Sequence, residues 1–415
     1  MADGKARTLV VGAGVIGAAI AHEMQRRGAR VTLIDRDAPG MGASFGNLAS
    51  IAVTEFLPVS RPAVWRQIPF WLFDREGPVA LRPAYLPRLI PWFARFVLAA
   101  RPSRLRAIEA AGAALCTRAL PDTRALLRDL GAEGLLTDTG CLAIYAGEDE
   151  FRADRDHVEL LDRYGVGHEV LGRKALVDLE PALAPQITRA LLFPDNRSLR
   201  DPHRLVTLLV ERFRVLGGEV RRAAVTGFER SDRVTGLHLD GGETISGETV
   251  VLCAGAHTGR LARLLGEPIP LETERGYHTQ IMAPGIALGH SLIWPARAFM
   301  VTPTAGGIRV GGTVEMAGLD AAPNWNRAKI TVRHARVALP GLQLGEATEW
   351  MGHRPALPDT IPVISASART RGVFYATGHG HLGLTQAATT ARLMGQLIAG
   401  ETPDVDLRPY RVDRF

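Results

Sequence analysis

The sequence predicts an α/β plus α+β chain of two interleaved domains. Three observations predict it. The chain has 415 residues, too many for one ordinary core and well suited to two domains. A short apolar strand, Thr8 to Val11, runs directly into Gly12-Ala13-Gly14-Val15-Ile16-Gly17 and then a helical pattern, the opening of a Rossmann-like unit. Strand-to-glycine turns return at Cys253-Ala254-Gly255 and at Gly378 to Thr385. Segments of one kind therefore lie at both chain ends and in the middle.

Composition narrows the class. Hydrophobic residues make up 46% and charged residues 22%, which excludes a largely disordered chain. No run of about 20 apolar residues occurs, so no spanning helix is expected. Cys116, Cys141 and Cys253 supply neither a disulfide framework nor a thiolate cluster, and a reducing, cytoplasmic setting is expected. The histidines show no metal spacing with cysteines or acids, so no metal is expected. Met1 to Arg7 is polar and leads into glycines, not a cleavage site, so no signal peptide is expected. The net charge of +6 favours anionic small molecules, lipid head groups or nucleic acid. Scattered basic residues without a recognition module argue against nucleic acid.

The first fifty residues carry the sharpest signal. Gly12 permits the tight turn, Gly14 admits a pyrophosphate to the backbone, and Gly17 lets helix and strand pack closely. Ala18 to Arg27 reads as helix and Gly28 stops it. Val31 to Ile34 reads as the second strand, with Asp35 at its end, placed to hold ribose hydroxyls. The pyrophosphate would lie at the helix N-terminus, where free N–H groups and the dipole favour anions.

After Asp35 and Arg36 comes a small-residue loop, Gly42-Ala43-Ser44-Phe45-Gly46-Asn47. A nicotinamide enzyme would more often enter another helix here. This arrangement resembles the D-amino acid oxidase/glycine oxidase superfamily of FAD enzymes. The resemblance implies that Ser44 and Asn47 sit in the loop wrapping the FAD pyrophosphate and flavin edge, with Val15, Ile16 and Arg36 also at the cofactor. It implies an adenine contact from the main chain at Val225, and a close approach at Ala254 and Gly255. It implies a glutathione-reductase-type FAD domain over 1–56, 196–265 and 352–415. A substrate domain on a large mixed or antiparallel sheet would take 57–195 and 266–351.

Between these markers the pattern is coarser. Residues 107 to 130 read as helix, Gly140 to Ala146 as strand, Asp149 to Tyr164 as helix and Asp201 to Leu216 as helix. Strands follow at Glu219 to Arg222, Ala224 to Glu229, Val234 to Leu239 and Thr249 to Ala254. Residues 57 to 106 differ. They hold nine arginines from Arg61 to Arg106 against Asp74 and Glu76, with many aromatics and prolines. Pro83 to Ala100 reads as a basic amphipathic helix interrupted by prolines. Residues 61–106 could meet a membrane surface, or be helices packed on the substrate domain with solvated arginines. Aromatic stripes at helical spacing favour packing.

Three stretches carry the chemistry. The strand Val373 to Ala376 leads through Gly378-His379-Gly380-His381-Leu382-Gly383-Leu384-Thr385 into a helix to Ala399. Its N-terminus would stabilise negative charge on whatever the loop holds. In the superfamily that loop covers the pyrimidine side of the flavin. Gly352-His353-Arg354-Pro355 supplies Arg354, whose guanidinium fork suits a carboxylate. In relatives of the D-amino acid dehydrogenase type the matching arginine is expected to bind the substrate carboxylate. Glu274 to His278 places Tyr277 and His278 on a strand, where alternation lets only one face the flavin squarely; Tyr277 is preferred. His379 and His381 could touch substrate or flavin, or make structural hydrogen bonds.

The resemblance covers essentially the whole chain and lies nearest to D-amino acid dehydrogenases. The GHGHLGLTQ stretch suggests the branch acting on D-proline and cis-4-hydroxy-D-proline. The α-hydrogen would leave as hydride to flavin N5, with electrons passing to a quinone or another carrier, or to an artificial dye. Relatives that attach FAD covalently use a cysteine or histidine that the matching stretches lack here, so FAD is expected to be non-covalent. Two other readings stand: a glycine/sarcosine-type oxidase releasing peroxide, and a flavin-bearing electron-transfer subunit of a larger assembly.

Overall fold

The computed structural model describes residues 7–61, 74 and 76–415. Two large sheets organise them. The first has six strands in the order Val363–Ala366, Val373–Thr377, Thr249–Leu252, Arg7–Val11, Arg30–Asp35 and Glu219–Arg222. All neighbours are parallel except the first pair. A parallel sheet needs cover on both faces, and alternation along Arg7–Val11 shows how it is met. Val10 packs under the helices Val15–Arg26, Gly383–Ile398 and Pro102–Asp129. Leu9 and Val11 face the three-stranded sheet Val225–Arg230, Val234–Leu239 and Thr244–Ser246.

The second sheet has nine strands and is mostly antiparallel. Ala347–Ala356 lies at one edge, followed by Glu272–Ile281, Gly307–Met316, Phe299–Thr304 and Ser291–Trp294. Cys141–Tyr145, Arg189–Phe193 and Glu169–Gly172 complete the path, and Val79–Leu81 pairs with Gly307–Met316. One face carries Leu292, Trp294, Val301 and Val310 onto the helix Asn326–Ala338. The other face looks back toward the glycine turns of the first sheet.

Several local expectations change. The strand Ala347–Ala356 runs through residue 352, expected as a domain boundary, and pairs with Glu272–Ile281 along its whole length. Arg354 therefore sits on the nine-stranded sheet. The first helix begins at Val15, ahead of Ala18, because the Ser44 hydroxyl accepts its first free N–H, from Val15, at 2.8 Å. The expected helix Asp149 to Tyr164 is two, Glu148–Ala153 and Arg155–Arg163. They break at Asp154, whose carboxylate accepts from the Tyr145 hydroxyl at 2.8 Å. Pro91 lies inside the helix Leu86–Ala99 without ending it. Arg66 and the aromatics at 65, 70, 71 and 73 lie outside the described residues.

Candidate active site

The glycine turn after the first strand is sterically enforced. Gly12 has φ +107, and a Cβ there would fall 2.5 Å from the Cys253 carbonyl oxygen. A Cβ on Gly17 would fall 1.8 Å from the Gly12 oxygen. Strand, turn and helix can thus approach only with glycine at both positions. Asp35 receives the N–H of Ala13 at 2.6 Å and that of Asp37 at 2.9 Å. Arg36 reaches His257 at 2.9 Å.

The loop after Asp35 is tied in at each polar residue. Ser44 closes over the helix N-terminus, as above. Asn47 donates to the Ser44 carbonyl at 2.7 Å and accepts from Ala49 N–H at 2.8 Å. Gly46 lies against the Trp350 ring so closely that a Cβ would fall 2.2 Å from it. His278 grips the same loop, its Nδ1 2.8 Å from the Gly46 carbonyl and its ring stacked on Trp350.

A cavity of about 950 Å³ connects these parts. One end is lined by Asp35, Arg36, Val225 and His257. Its middle runs past Gly14, Val15, Ile16, Ser44, Ala254 and Gly255, and its far end by Gly378 to Thr385, Gly352 and Arg354. The helix Gly383–Ile398 opens onto that end with no side-chain cap and no acid in its first turn. Its free N–H groups and dipole are available to an anion. A long cofactor with a pyrophosphate fits this course. Gly12, Gly14 and Gly17 would admit the pyrophosphate, Asp35 the ribose, and the Gly378 loop the ring system.

The strand pair Glu272–Ile281 and Ala347–Ala356 builds the opposing wall. Glu274, Gly276 and His278 alternate onto the face that carries Trp350, Gly352 and Arg354. The Arg354 guanidinium lies on Gly276, where a Cβ would fall 2.4 Å from Nη2. A register shift beside Gly312 brings that residue's carbonyl within 3.4 Å of the same guanidinium. Arg354 has no ion-pair partner among the described residues. Burial lowers its pKa and raises that of Glu274, and each charge offsets part of the other's shift.

The preference for Tyr277 over His278 is reversed. Tyr277 points to the opposite face, where its hydroxyl donates to Glu315 at 2.5 Å and accepts from Asn324 N–H at 2.9 Å. It braces the start of the helix Asn326–Ala338. His278 shares the face of Arg354, but burial and Arg309 push it down to about 3. With Nδ1 committed to a carbonyl, it anchors the loop as a neutral ring.

The two loop histidines separate cleanly. His379 turns inward, its Nε2 3.0 Å from the Thr390 hydroxyl, and burial pushes it down to about 3. That contact ties its ring to the packing of the helix Gly383–Ile398. His381 is exposed to the cavity, where desolvation by the surrounding walls lowers its pKa, Glu55 raises it and Arg354 lowers it. Leu382 packs toward Phe56, next to Glu55. No motif in the sequence marks Trp350 or Glu55. Trp350 shares Arg354's strand face, a relationship visible only once the strand is known, and Glu55 carried no local signal.

The parallel sheet, its glycine turns and the flavin-sized cavity facing an antiparallel wall define a flavoprotein oxidoreductase. The chain belongs to the DAO family of FAD dependent oxidoreductases, whose profile matches residues 7–397. It is 34% identical to a D-amino-acid oxidase of Bradyrhizobium diazoefficiens, with 98% of each chain covered. It is 31% identical to a D-amino acid dehydrogenase of a Methylobacterium species, with 99% of each covered. Its fold matches glycine oxidase from Geobacillus kaustophilus with a TM-score of 0.78 at 21% identity, covering 99% and 100% of the two chains. It also matches L-proline dehydrogenase from P. horikoshii with a TM-score of 0.74 at 18% identity, covering 99% and 98%.

Proposed function

We propose that the protein dehydrogenates a D-amino acid, specifically a cyclic imino acid such as D-proline or cis-4-hydroxy-D-proline. One observation carries the reading: Arg354 is a half-buried guanidinium on the cavity wall with no carboxylate in ion-pair contact among the described residues, Glu274 acting on it only at longer range from the paired strand. An amino acid carboxylate supplies the partner it lacks, in the two-point geometry a guanidinium favours. The relatives named D-amino acid oxidase and dehydrogenase support the same class.

Apolar side chains, Leu81, Trp92, Phe96, Val314 and Met316, line the cavity on this side. They suit ring methylenes and exclude water from the reacting carbon. Arg354 orients the substrate, and His381 stands where it can take the proton from the substrate nitrogen. The helix Gly383–Ile398 holds negative charge at its N-terminus. FAD, when bound, supplies the acceptor for the hydride. We infer that it is held non-covalently, since residues 352 to 359 contain no cysteine.

The domain division proposed is that of the two sheets, with 352–356 moved to the substrate side. The buried free cysteines Cys116, Cys141 and Cys253 support a reducing, cytoplasmic setting. The proposed acceptor is a quinone or another carrier, reached from the inner face of the membrane. An oxidase reading is favoured by the name of the Bradyrhizobium relative.

Anaerobic titration of the flavin spectrum with D- and L-proline, their 4-hydroxy derivatives, D-alanine and sarcosine tests the proposal. Bleaching by a D-imino acid with slow reoxidation in air is expected. Fast reoxidation with peroxide would establish the oxidase. A flavin that no amino acid bleaches would leave an electron-transfer subunit.

A further inference from the structure

We propose that the helix Leu86–Ala99, with the arginines around it, docks the protein on an anionic lipid bilayer. The inference goes beyond the proposed reaction and does not depend on it.

The helix is apolar on two sides. Leu89, Trp92 and Phe96 are buried with Met316 and Ala356. Leu86, Ile90, Val97 and Leu98 lie on the outer side and expose 39%, 65%, 41% and 40% of their surface. Helical spacing gathers them into one stripe, where a surface helix ordinarily carries polar residues. With Phe93 and Ala94 they line a shallow apolar groove.

Charge frames the stripe. No acid occurs between Glu76 and Glu109, while Arg82, Arg88, Arg95, Arg101, Arg104 and Arg106 do. This stretch thus carries six positive charges in a chain whose net charge is +6. Arg82 pairs with Glu315. The other five have no ion-pair partner among the described residues. Some exposed arginines elsewhere pair with acids, as Arg118 does with Asp404 and Arg163 with Glu109, and others such as Arg124 and Arg128 do not among the described residues. What distinguishes this stretch is that it holds no acid at all.

An aliphatic stripe rimmed by unpaired arginines matches a bilayer interface, with chains below and phosphates beside them. A protein partner fits less well. Protein interfaces concentrate binding energy in aromatics, and here Trp92 and Phe96 point inward, while the groove is lined by aliphatic side chains and Phe93. No helix among the described residues is long and apolar enough to cross a membrane, so this one lies along the surface. Phe93 lines both the outer groove and the main cavity, which puts the lipid one helix away from the site.

Sedimentation of the FAD-loaded protein with vesicles tests this without any substrate. Binding to phosphatidylcholine vesicles containing phosphatidylglycerol is expected, with release by salt and little binding to phosphatidylcholine alone. Ile90→Glu together with Val97→Glu should abolish it. Arg88→Ala with Arg95→Ala should weaken it about fivefold per arginine. Melting temperature and flavin content should be retained in both pairs. Failure of the native protein to bind the anionic vesicles would overturn the proposal, as would unchanged binding by the variants. So would a native dimer, seen by light scattering, that Ile90→Glu with Val97→Glu converts to monomer.

Discussion

Arg354 lies across the backbone of Gly276, with its Nη2 2.4 Å from where a Cβ on that glycine would stand. Gly276 pairs with Gly352 across the two strands, so the wall beneath the guanidinium is bare backbone. Gly276→Ala should displace the guanidinium while leaving its charge in place. Arg354→Lys should keep the charge and lose the fork. Each is expected to raise KM for the amino acid about 10- to 100-fold, the scale of a charged hydrogen bond, with flavin content unchanged. Steady-state assays with a dye acceptor read this. A KM within twofold of the native value in both variants would remove Arg354 from carboxylate binding.

His379 and His381 are two residues apart and meet different surroundings. His379 is buried against Thr390, whereas His381 opens into the cavity with Glu55 and Arg354 acting on its charge. His381→Asn should move the pH profile of flavin reduction while the fold persists. His379→Asn should lower the melting temperature and leave the profile in place. A shifted profile in His379→Asn with none in His381→Asn would reverse the assignment.

The parts of the site legible in the sequence are those fixed by local backbone geometry. Gly12, Gly17, Asp35 and Ser44 fall within one strand–turn–helix–strand unit, and spacing along the chain determines their spacing in space. The wall holding Arg354 was half legible. A guanidinium in a glycine- and proline-rich stretch stood out, but its strand, and hence its face, depended on pairing with residues about 80 positions earlier. The same dependence governs positions 277 and 278. Alternation said that one side chain faces the cavity, and only the pairing with Trp350 and Glu315 showed which. Glu55 and Trp350 were invisible because their roles arise from long-range packing.

Gly17 offers a direct test of the cofactor cradle. A methyl group there would overlap the Gly12 carbonyl oxygen, so helix and strand must separate. Gly17→Ala should cost about 1–3 kcal/mol, as overpacking does, and the purified protein should carry little flavin. Visible absorbance and a thermal melt check both. Full flavin content with an unchanged melt would mean that the turn is not where the pyrophosphate binds.

The pH dependence of stability should have two limbs with different owners. His157 is buried with Nε2 3.0 Å from the Thr54 carbonyl and Nδ1 3.5 Å from Asp154. Burial lowers its pKa, but Asp154, Glu55 and the Thr54 carbonyl outweigh that and raise it to about 9. The imidazolium bridges two acceptors, so the folded state holds its proton more tightly than the unfolded chain does. Its contribution is full below the unfolded pKa of about 6.5 and is lost as pH rises through 9. The upper bound is about 3 kcal/mol. His278 and His379 work in the opposite direction. Both are pushed down to about 3, so below about pH 6.5 the unfolded chain binds more protons and stability falls with acid. Urea midpoints from pH 5 to 9.5 should therefore decline at both ends. His157→Gln should lower the midpoint at pH 6 and flatten the alkaline decline, leaving the acid limb intact. An alkaline decline that persists unchanged in His157→Gln would show that the buried His157–Asp154 pair does not carry it.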